Sequence, residues 1–557
     1  MESLSDTEWD VIISGTGLPQ SLLALALSRT GKKVLHIDKN DYYGGAEAAL
    51  SLQEVKTWAE AADEDAGSSP FSHVSIKNLE ERTQDVSGDE AATKLGFSRA
   101  YSLALSPQLI YTRSNLLPAL VSSKVYRQLE FLAVGNWWIY SNHEAADDGQ
   151  TGSTAPSRGS LRRIPGGRED IFADKGIDLR STRSLMKFLK LAADPEAHGS
   201  ILEEWGSKPF PEFLESHLSI PPRLQAPLLA LTLSPNPPAE TLTSYALPHI
   251  HRHLTSIGMF GPGFGSVIPK WGGLAEVAQV ACRAGAVGGG VYVLKRGFAR
   301  HGNADQETSS QDFISLDQGT SLSTIHLQGG EKVKSHWIVG SSWDLPSLAH
   351  PLPDDQIHSS YTARTITILS ESLSQLFPLP AEGAPPPAGA VVFFPTGTLE
   401  LESEDPMAPT AKIQSPPVYL MVHSSDTGEC PAGQCVVYAY AIHKDHVDVH
   451  RLLQTAVSRL IDCIKQEPPA TALWYMRYDQ QHKPPATTDD YDANINCEDL
   501  SNDHILRLPD LAPGLALEDD VLRHVQAAYN KIIGEEGAAF MLFEDREGTG
   551  DDDNNEN

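Results

Sequence analysis

The alternation of apolar and polar residues is most regular near the start of the chain. A short apolar run, Asp10–Ser14, is typical of a buried strand. It is followed by the glycine pair Gly15-Thr-Gly17, by an apolar stretch of helical character at Ser21–Ser28, and by a second apolar run, Lys33–Asp38, which ends in an acid. This order of strand, glycine turn, helix and strand predicts a βαβ unit of about 30 residues.

The next long block, from Ser114 to about residue 255, has apolar residues mainly at helical spacing. Two stretches show this pattern clearly, Ser114–Val121 and Ser181–Ala193. Their apolar positions are Leu116, Leu117, Leu120 and Val121 in the first stretch and Leu185, Phe188, Leu189 and Ala192 in the second. We therefore expect a mainly α-helical block.

The later part of the chain contains short apolar runs that favour strands. These runs are Gly290–Leu294, His336–Val339, Thr365–Leu369, Ala390–Phe394, Val418–Val422 and Gln434–Tyr440. A well-patterned helix is expected at about Glu518–Ile533. The whole order predicts an α/β fold, in which a nucleotide-binding type of domain is interrupted by an inserted all-α domain and carries an additional mixed β-sheet.

Charge and cysteine content narrow the possible partners. The 557 residues include 43 basic and 73 acidic side chains, a net charge of −30. This balance disfavours nucleic acid, which needs a positive surface, and non-specific adhesion to anionic membranes. Five cysteines, an odd number in so long a chain, do not make a disulfide framework. We therefore expect reduced thiols and a cytoplasmic protein.

The two ends of the sequence carry no targeting signal that we recognise. The start, MESLSDTEWD, lacks the basic and then apolar pattern of a signal peptide. No run approaches the roughly 20 apolar residues of a membrane-spanning helix. Residues 541–557 are rich in acidic residues and are expected to form a disordered tail.

The glycine turn matches only part of a dinucleotide-binding motif. That motif needs three glycines, for the turn, for the approach of the pyrophosphate and for close helix packing. Gly15 and Gly17 are present, but Gln20 replaces the third glycine and Pro19 removes one N–H near the helix start. Asp38 is well placed for a ribose hydroxyl. The residues alone leave open whether a cofactor binds.

Other catalytic motifs are weak or missing in the sequence. There is no His-Glu-x-x-His, no Gly-x-Ser-x-Gly and no phosphate-binding loop. Cys430 and Cys435 have no second cysteine pair, so a metal site is not expected. A flavoprotein of this class usually has a late Gly-Asp before its last helix, whereas Glu518-Asp519-Asp520 stands there and would repel a pyrophosphate.

Three segments resemble one known superfamily. They are Gly15–Pro19, the run GKKVLHID at Gly31–Asp38 and the run DYYGG at Asp41–Gly45. Together they resemble the Rab GDP-dissociation inhibitors and Rab escort proteins. The resemblance implies a flavoprotein-like (GDI-type) fold without bound flavin or another cofactor. It also implies a domain I at residues 1–113 and 235–540 and a helical domain II at residues 114–234.

Insertions at about residues 61–95, 141–160 and 379–417 favour the escort branch, because the inhibitors are compact. That branch binds GDP-bound Rab GTPases and presents them to the catalytic α/β heterodimer of Rab geranylgeranyltransferase. It then shields the geranylgeranyl lipid and contacts membranes transiently, and it is not itself an enzyme. Two alternatives stay open at this point, a Rab GDP-dissociation inhibitor and an FAD-dependent oxidoreductase of the amine-oxidase type.

The resemblance also implies particular binding residues. The Rab-binding surface of the superfamily corresponds here to Tyr43, Glu276, Arg283 and Val293. Glu276 and Arg283 are seven residues apart, which places them on one face of a helix. The alternative interpretation is an exposed helix face with a local ion network.

The helical domain of the superfamily binds the prenyl group and the transferase. Its candidate apolar residues here are Leu116, Leu117, Leu120, Leu185, Phe188 and Leu189. Burial of a long prenyl chain is favourable by about 0.8 kcal/mol per CH₂ group. The alternative interpretation of each of these residues is ordinary helix-packing core.

Overall fold

The structure is a computed structural model. It describes residues 4–64, 69–79, 94–142, 159–165, 178–194, 198–299, 314–316, 322–345, 360–399, 415–443, 449–482, 504–534 and 540–544. Within these ranges the strands form one seven-stranded sheet, one ten-stranded sheet and one small pair, and the helices pack on the faces of the two large sheets.

The seven-stranded sheet, called sheet 1, begins with the βαβ unit. Its strands are β1 (Glu8–Ser14), β2 (Val34–Ile37), β10 (Val291–Val293), β11 (Ile314–Leu316), β12 (Ser323–His326), β13 (Lys332–Gly340) and β19 (Ile505–Arg507). β10, β2, β1 and β13 are parallel neighbours, and β19 pairs in parallel with the end of β13. β12 and β11 add an antiparallel edge. The predicted βαβ unit is therefore confirmed.

The ten-stranded sheet, called sheet 2, is mixed. Its strands are β4 (Phe71–Asn78), β6 (Ile110–Tyr111), β7 (Phe131–Ser141), β8 (Ser160–Arg163), β9 (Ser266–Pro269), β14 (Ser360–Leu369), β15 (Gly389–Phe394), β16 (Val418–Ser424), β17 (Cys435–His443) and β18 (Ala472–His482). Along the main path the order is β4, β18, β14, β17, β16, β15, β7, β9 and β6. Strands β3 (Ala49–Leu50) and β5 (Leu103–Ala104) form the small separate pair.

The helices divide between the two sheets. They are α1 (Leu18–Leu27), α2 (Leu52–Glu64), α3 (Leu116–Ser122), α4 (Leu179–Ala192), α5 (His198–Trp205), α6 (Phe210–Ser216), α7 (Gln225–Thr232), α8 (Thr243–Ser256), α9 (Leu274–Val287), α10 (Val449–Cys463) and α11 (Asp520–Ile533). The predicted late strands correspond to β10 and β13–β17, and the predicted last helix corresponds to α11, so the predicted fold class is confirmed.

Four apolar cores hold these layers together. Core 1 lies between sheet 1 and α1, α9 and α11, and it includes Val11, Leu22 and Val277. Core 2 covers the other face of sheet 1 and includes Ile12 and Leu35. Core 3 joins sheet 2 to helices α4–α8, and core 4 joins the other face of sheet 2 to α10. Burial of apolar surface at about 25 cal/mol per Å² makes these cores the main stabilising contribution.

The predicted limits of the helical domain need correction. The block that begins at residue 114 is not continuously helical, because β7 and β8 belong to sheet 2 and α3 packs in core 1. α8 lies wholly beyond the predicted end at residue 234. The helices that pack together against sheet 2 are α4–α8, so the inserted helical domain begins at about residue 178 and ends at about residue 256.

Strand β7 explains where that insertion begins and ends. β8 pairs with the last four residues of β7, and β9 pairs with its first four. β15 pairs with β7 between Val134 and Ile139, and the same stretch also pairs with β9 at Val134 and with β8 at Ile139. β15 therefore lies along one edge of β7, and β8 and β9 both lie along its other edge. The helical domain therefore lies between two segments that occupy the same sheet edge.

The predicted tail also begins too early. Met541 is buried in core 1, and the N–H of Phe543 donates to the carbonyl oxygen of Ser122 at 3.1 Å. The guanidinium of Arg29 lies 5.2 Å from the ring centre of Phe543. Residues 540–544 are thus packed against the fold, and the rest of the predicted tail lies outside the described residues.

Candidate functional site

Helix α9 presents two charged residues on its outer face. Its apolar positions, including Leu274, Val277 and Val280, pack in core 1. Glu276 lies in the first turn, where an acid interacts favourably with the helix dipole, and it is half-buried. Arg283 is exposed two turns later. The helical period therefore places the apolar stripe inward and this pair outward.

Tyr43 lies beside the same helix face. It is half-buried, and burial raises the pKa of its phenol while the nearby Arg283 charge opposes that rise. Burial likewise raises the pKa of Glu276, again opposed by Arg283. In the described part of the chain, the side chains of Glu276 and Arg283 form no hydrogen bond or ion pair. The fold thus brings three of the four predicted Rab-binding residues together, and the two charged ones form no ion pair within the described residues.

Val293 does not face this group. It packs against core 2, on the face of sheet 1 opposite to α9, because successive residues of β10 point to opposite faces. Tyr292, one residue earlier, points towards α9 instead and contacts His36, with the two ring centres 4.9 Å apart. Val293 therefore lies on the other face of sheet 1 from Tyr292, and its part in Rab binding stays a prediction, since strand parity alone does not tell which face meets the helix.

The six candidate prenyl-binding residues fall into two separate groups. Leu116, Leu117 and Leu120 are buried in core 1, away from the helical domain. Leu185 and Phe188 are buried in core 3, and Leu189 is half-buried against it. One groove lined by all six residues is thus excluded. Among the six, Leu189 keeps the most exposed side chain, so it is the one best placed to contact a ligand of the helical domain.

The glycine turn after β1 is closed by two carboxylates. Gly15 has a φ of +87°, and a Cβ there would lie 2.2 Å from Oδ2 of Asp344. Glu47 follows β2, and its Oε2 accepts a hydrogen bond from the N–H of Leu18 at 3.1 Å, at the N-terminus of α1. A Cβ on Gly17 would lie 3.2 Å from that same oxygen. The lack of a Cβ at Gly15 and Gly17 therefore leaves space that the carboxylates of Asp344 and Glu47 occupy.

Asp38 is buried, and its carboxylate accepts hydrogen bonds from neighbouring residues. Its Oδ2 accepts hydrogen bonds from the N–H of Thr16 at 2.8 Å and from the Thr16 hydroxyl at 2.6 Å, and its Oδ1 accepts from the N–H of Asn40 at 2.8 Å. Burial, with the Asp344 charge second, raises the pKa of Asp38 to about 6. Asp38 thus fixes the glycine turn, and both of its oxygens already accept hydrogen bonds from the chain itself.

These residues do not fit a flavin dinucleotide. Its pyrophosphate would need the helix N-terminus that Glu47 occupies and the space beside Gly15 that Asp344 occupies. Burial, followed by the charges of Asp510 and Asp344, raises the pKa of Glu47 to about 7. Asp510, the third acid of this group, would add to the repulsion of a phosphate. The turn formed by Gly15, Gly17 and Asp38 therefore has the geometry of a nucleotide-binding turn. Glu47 and Asp344 occupy the space that the nucleotide would need.

The described residues offer neither a metal site nor a membrane-spanning helix. No group of three or more His, Cys, Asp or Glu side chains there is arranged to hold a metal ion. The helices in the described ranges are also too short or too polar to cross a membrane.

Comparison with known proteins identifies the relatives of the chain. Residues 5–71 match the family model of the GDP dissociation inhibitors. The chain is 28% identical over 393 residues to a protein of Saccharomyces cerevisiae named Rab proteins geranylgeranyltransferase component A, covering 70% of this chain and 56% of that protein. It is 28% identical to Rab escort protein 1 of Arabidopsis thaliana, covering 52% of this chain and 54% of that protein. The chain thus spans somewhat more than half the length of these relatives.

Solved structures agree on the fold. A Rab GDI from Plasmodium falciparum superposes with a TM-score of 0.59 at 15% identity, covering 95% of this chain and 99% of that one. An oxidoreductase from Methanosarcina mazei superposes with a TM-score of 0.53 at 11% identity, covering 94% and 99%. These likenesses show a fold that the two classes share. Together with the sequence matches they confirm the predicted resemblance to the superfamily of Rab inhibitors and escort proteins.

Proposed function

We propose that this chain, a relative of the Rab GDP-dissociation inhibitors and Rab escort proteins, is a Rab escort protein. In this role it binds newly made, GDP-bound Rab GTPases and presents their C-terminal cysteines to the catalytic α/β heterodimer of Rab geranylgeranyltransferase. It then covers the attached geranylgeranyl group and delivers the Rab to a membrane. The chain supplies a binding surface and no catalytic group.

The observation that carries this proposal is the group formed by Tyr43, Glu276 and Arg283. A half-buried tyrosine, a half-buried acid and an exposed arginine lie close together, and neither charge forms a hydrogen bond or an ion pair in the described part of the chain. Tyr and Arg are favoured at protein interfaces because they combine contact area with directed hydrogen bonds. Such a surface suits a folded partner, as the name of each relative suggests.

The alternative of an oxidoreductase is disfavoured by the closed glycine turn. A redox enzyme of this fold needs its dinucleotide, and Glu47 and Asp344 occupy the positions of the pyrophosphate. The alternative of a GDP-dissociation inhibitor shares the binding surface, so geometry does not separate it from an escort. Only a functional assay distinguishes the two.

An in vitro prenylation assay provides that test. Purified catalytic heterodimer, geranylgeranyl diphosphate and a GDP-loaded Rab are incubated with and without this chain, and lipid transfer to the Rab is measured. Strong stimulation by the chain is expected. Tight binding of prenylated Rab without stimulation would identify an inhibitor, and the absence of any Rab binding would reject both interpretations.

A further inference from the structure

A large cavity opens beside the closed glycine turn. Its volume is about 790 Å³, and its walls come from α1, α2, β14 and β18 and from the segments around Glu47 and Asp344. Small-molecule sites in proteins typically measure about 300–1,000 Å³. The aromatic residues Tyr42, Trp58 and Phe71 form part of the lining. The cavity is therefore large enough for a ligand, although its glycine-turn end cannot take a pyrophosphate.

Arg364 supplies an unpaired cation to this cavity. It lies on β14, lines the cavity and is only 5% exposed. Within the described ranges the only hydrogen bond of its side chain runs from Nε to Oε1 of Gln480 at 2.6 Å, and its guanidinium lies 5.8 Å from the ring centre of Tyr440. Its two terminal nitrogens have no partner there. A buried cation without a counter-ion is costly, so an oxyanion in the cavity would relieve an existing penalty.

Two acids of the same lining form no ion pair within the described residues. Glu47 and Asp344 form no ion pair with a basic side chain in the described part of the chain. Glu47 binds the N–H of Leu18, while Asp344 accepts hydrogen bonds from Ser341 at 2.6 Å and from Gln20 at 3.1 Å. These donors are neutral, so the negative charge of the two acids is not compensated by them.

Arg364 and these two acids line the same cavity without forming an ion pair. The charge of Glu47 acts on Arg364, but the two side chains form no ion pair within 4.0 Å. We propose that the cavity binds a small zwitterion, whose carboxylate or phosphate pairs with Arg364 and whose ammonium group lies between Glu47 and Asp344. A purely anionic ligand would be repelled by the acids, and a purely cationic one would leave the guanidinium unpaired. This site is separate from the Tyr43, Glu276 and Arg283 surface.

Matched probes test the proposal by calorimetry on the full chain. A length series of zwitterions, 4-aminobutyrate, 6-aminohexanoate and 8-aminooctanoate, is compared with hexanoate, which lacks the ammonium group, and hexylamine, which lacks the carboxylate. O-phosphoethanolamine distinguishes a phosphate from a carboxylate as the preferred oxyanion. We expect at least one zwitterion to bind at least about tenfold more tightly than both singly charged probes, because each singly charged probe lacks one of the two charge-assisted contacts.

Two variants and one control complete the test. Arg364→Gln and Glu47→Gln should each reduce zwitterion affinity by about tenfold, the usual consequence of losing one charged contact. Arg459→Gln, on the exposed face of α10, should leave it unchanged. Without ligand, Arg364→Gln should melt at the same temperature as the parent or higher, since it removes an unpaired buried charge.

The proposal has definite contrary outcomes. Absence of binding by every zwitterion at millimolar concentration would overturn it, as would equal binding of hexanoate and 6-aminohexanoate. If Arg364→Gln does not fold, Glu47→Gln decides the question. A Glu47→Gln protein that folds and binds the zwitterions as the parent does would also overturn the proposal. Rab binding is measured in parallel, and its retention separates this site from the proposed escort function.

Discussion

The Glu47 carboxylate caps α1 by accepting a hydrogen bond from the backbone N–H of Leu18, 3.1 Å away. The N-terminus of this helix, after a strand and a glycine turn, is where proteins of this fold class receive a phosphate. The chain uses its own side chain to satisfy the same donor. An internal anion of this kind stabilises the helix start and at the same time removes the binding site for a dinucleotide.

The raised pKa of Glu47 predicts a pH-dependent stability. A carboxyl group whose pKa rises from 4.5 to about 7 on folding binds its proton more tightly in the folded state. The free energy of unfolding therefore falls as pH rises through that window. Glu47→Gln removes this dependence, so between pH 4.5 and 7 the variant should gain roughly 2–3 kcal/mol relative to the parent.

Urea unfolding of both proteins at several pH values measures that difference. Glu203→Gln, at an exposed position of α5, serves as the control, and its difference from the parent should not change with pH. A constant difference between Glu47→Gln and the parent across the window would contradict the prediction.

A second prediction concerns the contact between Gly15 and Asp344. Gly15→Ala places a methyl group 2.2 Å from Oδ2 of Asp344 at a φ of +87°, so it should destabilise by both strain and collision. Gly31→Ala, at a φ of +76° with nothing within 4 Å, isolates the strain, which costs roughly 1–2 kcal/mol. The measured loss should be clearly larger for Gly15→Ala, and Asp344→Gly should restore part of it. Equal losses at the two glycines would show that the carboxylate is not a close neighbour.

The proposed binding surface predicts a charge effect on affinity. Arg283→Glu should weaken binding of a GDP-loaded Rab by about tenfold or more, because it replaces an interface cation with an acid beside Glu276. The melting temperature should hardly change, since Arg283 is exposed. Arg459→Glu, on the exposed face of α10, is the matched control and should bind normally. Unchanged affinity for Arg283→Glu, measured by titration, would remove this residue from the surface.

The helical domain predicts a separation of stability from lipid binding. Phe188 is fully buried, with its ring centre 6.1 Å from that of Phe210, so Phe188→Ala should cost roughly 3–5 kcal/mol. Leu189→Ala should cost less, because its side chain is half-exposed, but it should weaken binding of a fluorescent geranylgeranyl-cysteine probe. Leu117→Ala, in core 1, is the control that loses stability without changing probe affinity of the folded protein. Weaker probe binding by Leu117→Ala alone would place the lipid elsewhere.

Sequence patterns predicted what depends on local periodicity. The βαβ unit and the outward placement of Glu276 and Arg283 follow from the spacing of apolar residues along one element. The spacing of Leu116, Leu117 and Leu120 correctly indicates a helix with one apolar face, but it carries no information about which core that face meets. The structure resolves this by packing them on core 1.

Other features depend on contacts between distant segments. β7 is buried on both faces by aromatic and apolar residues, so it lacks the alternation that distinguishes a strand from a helix. Val293 could not be assigned to a face before the pairing of β10 with β2 was known. Glu47 belongs to no motif, and its role at Leu18 arises only because the turn after β2 folds back onto α1.

The shared edge of β7 shows how the helical domain is joined to the rest of the chain. The N–H of Ile164 donates to the carbonyl oxygen of Trp137, and Ser266 pairs with Val134. Only Gly135 and Asn136 lie between these points on β7. Two residues would therefore be enough to join β8 directly to β9 as one uninterrupted strand. The helical domain occupies a break in a single strand, and a shortened chain without it could retain every strand pairing of sheet 2.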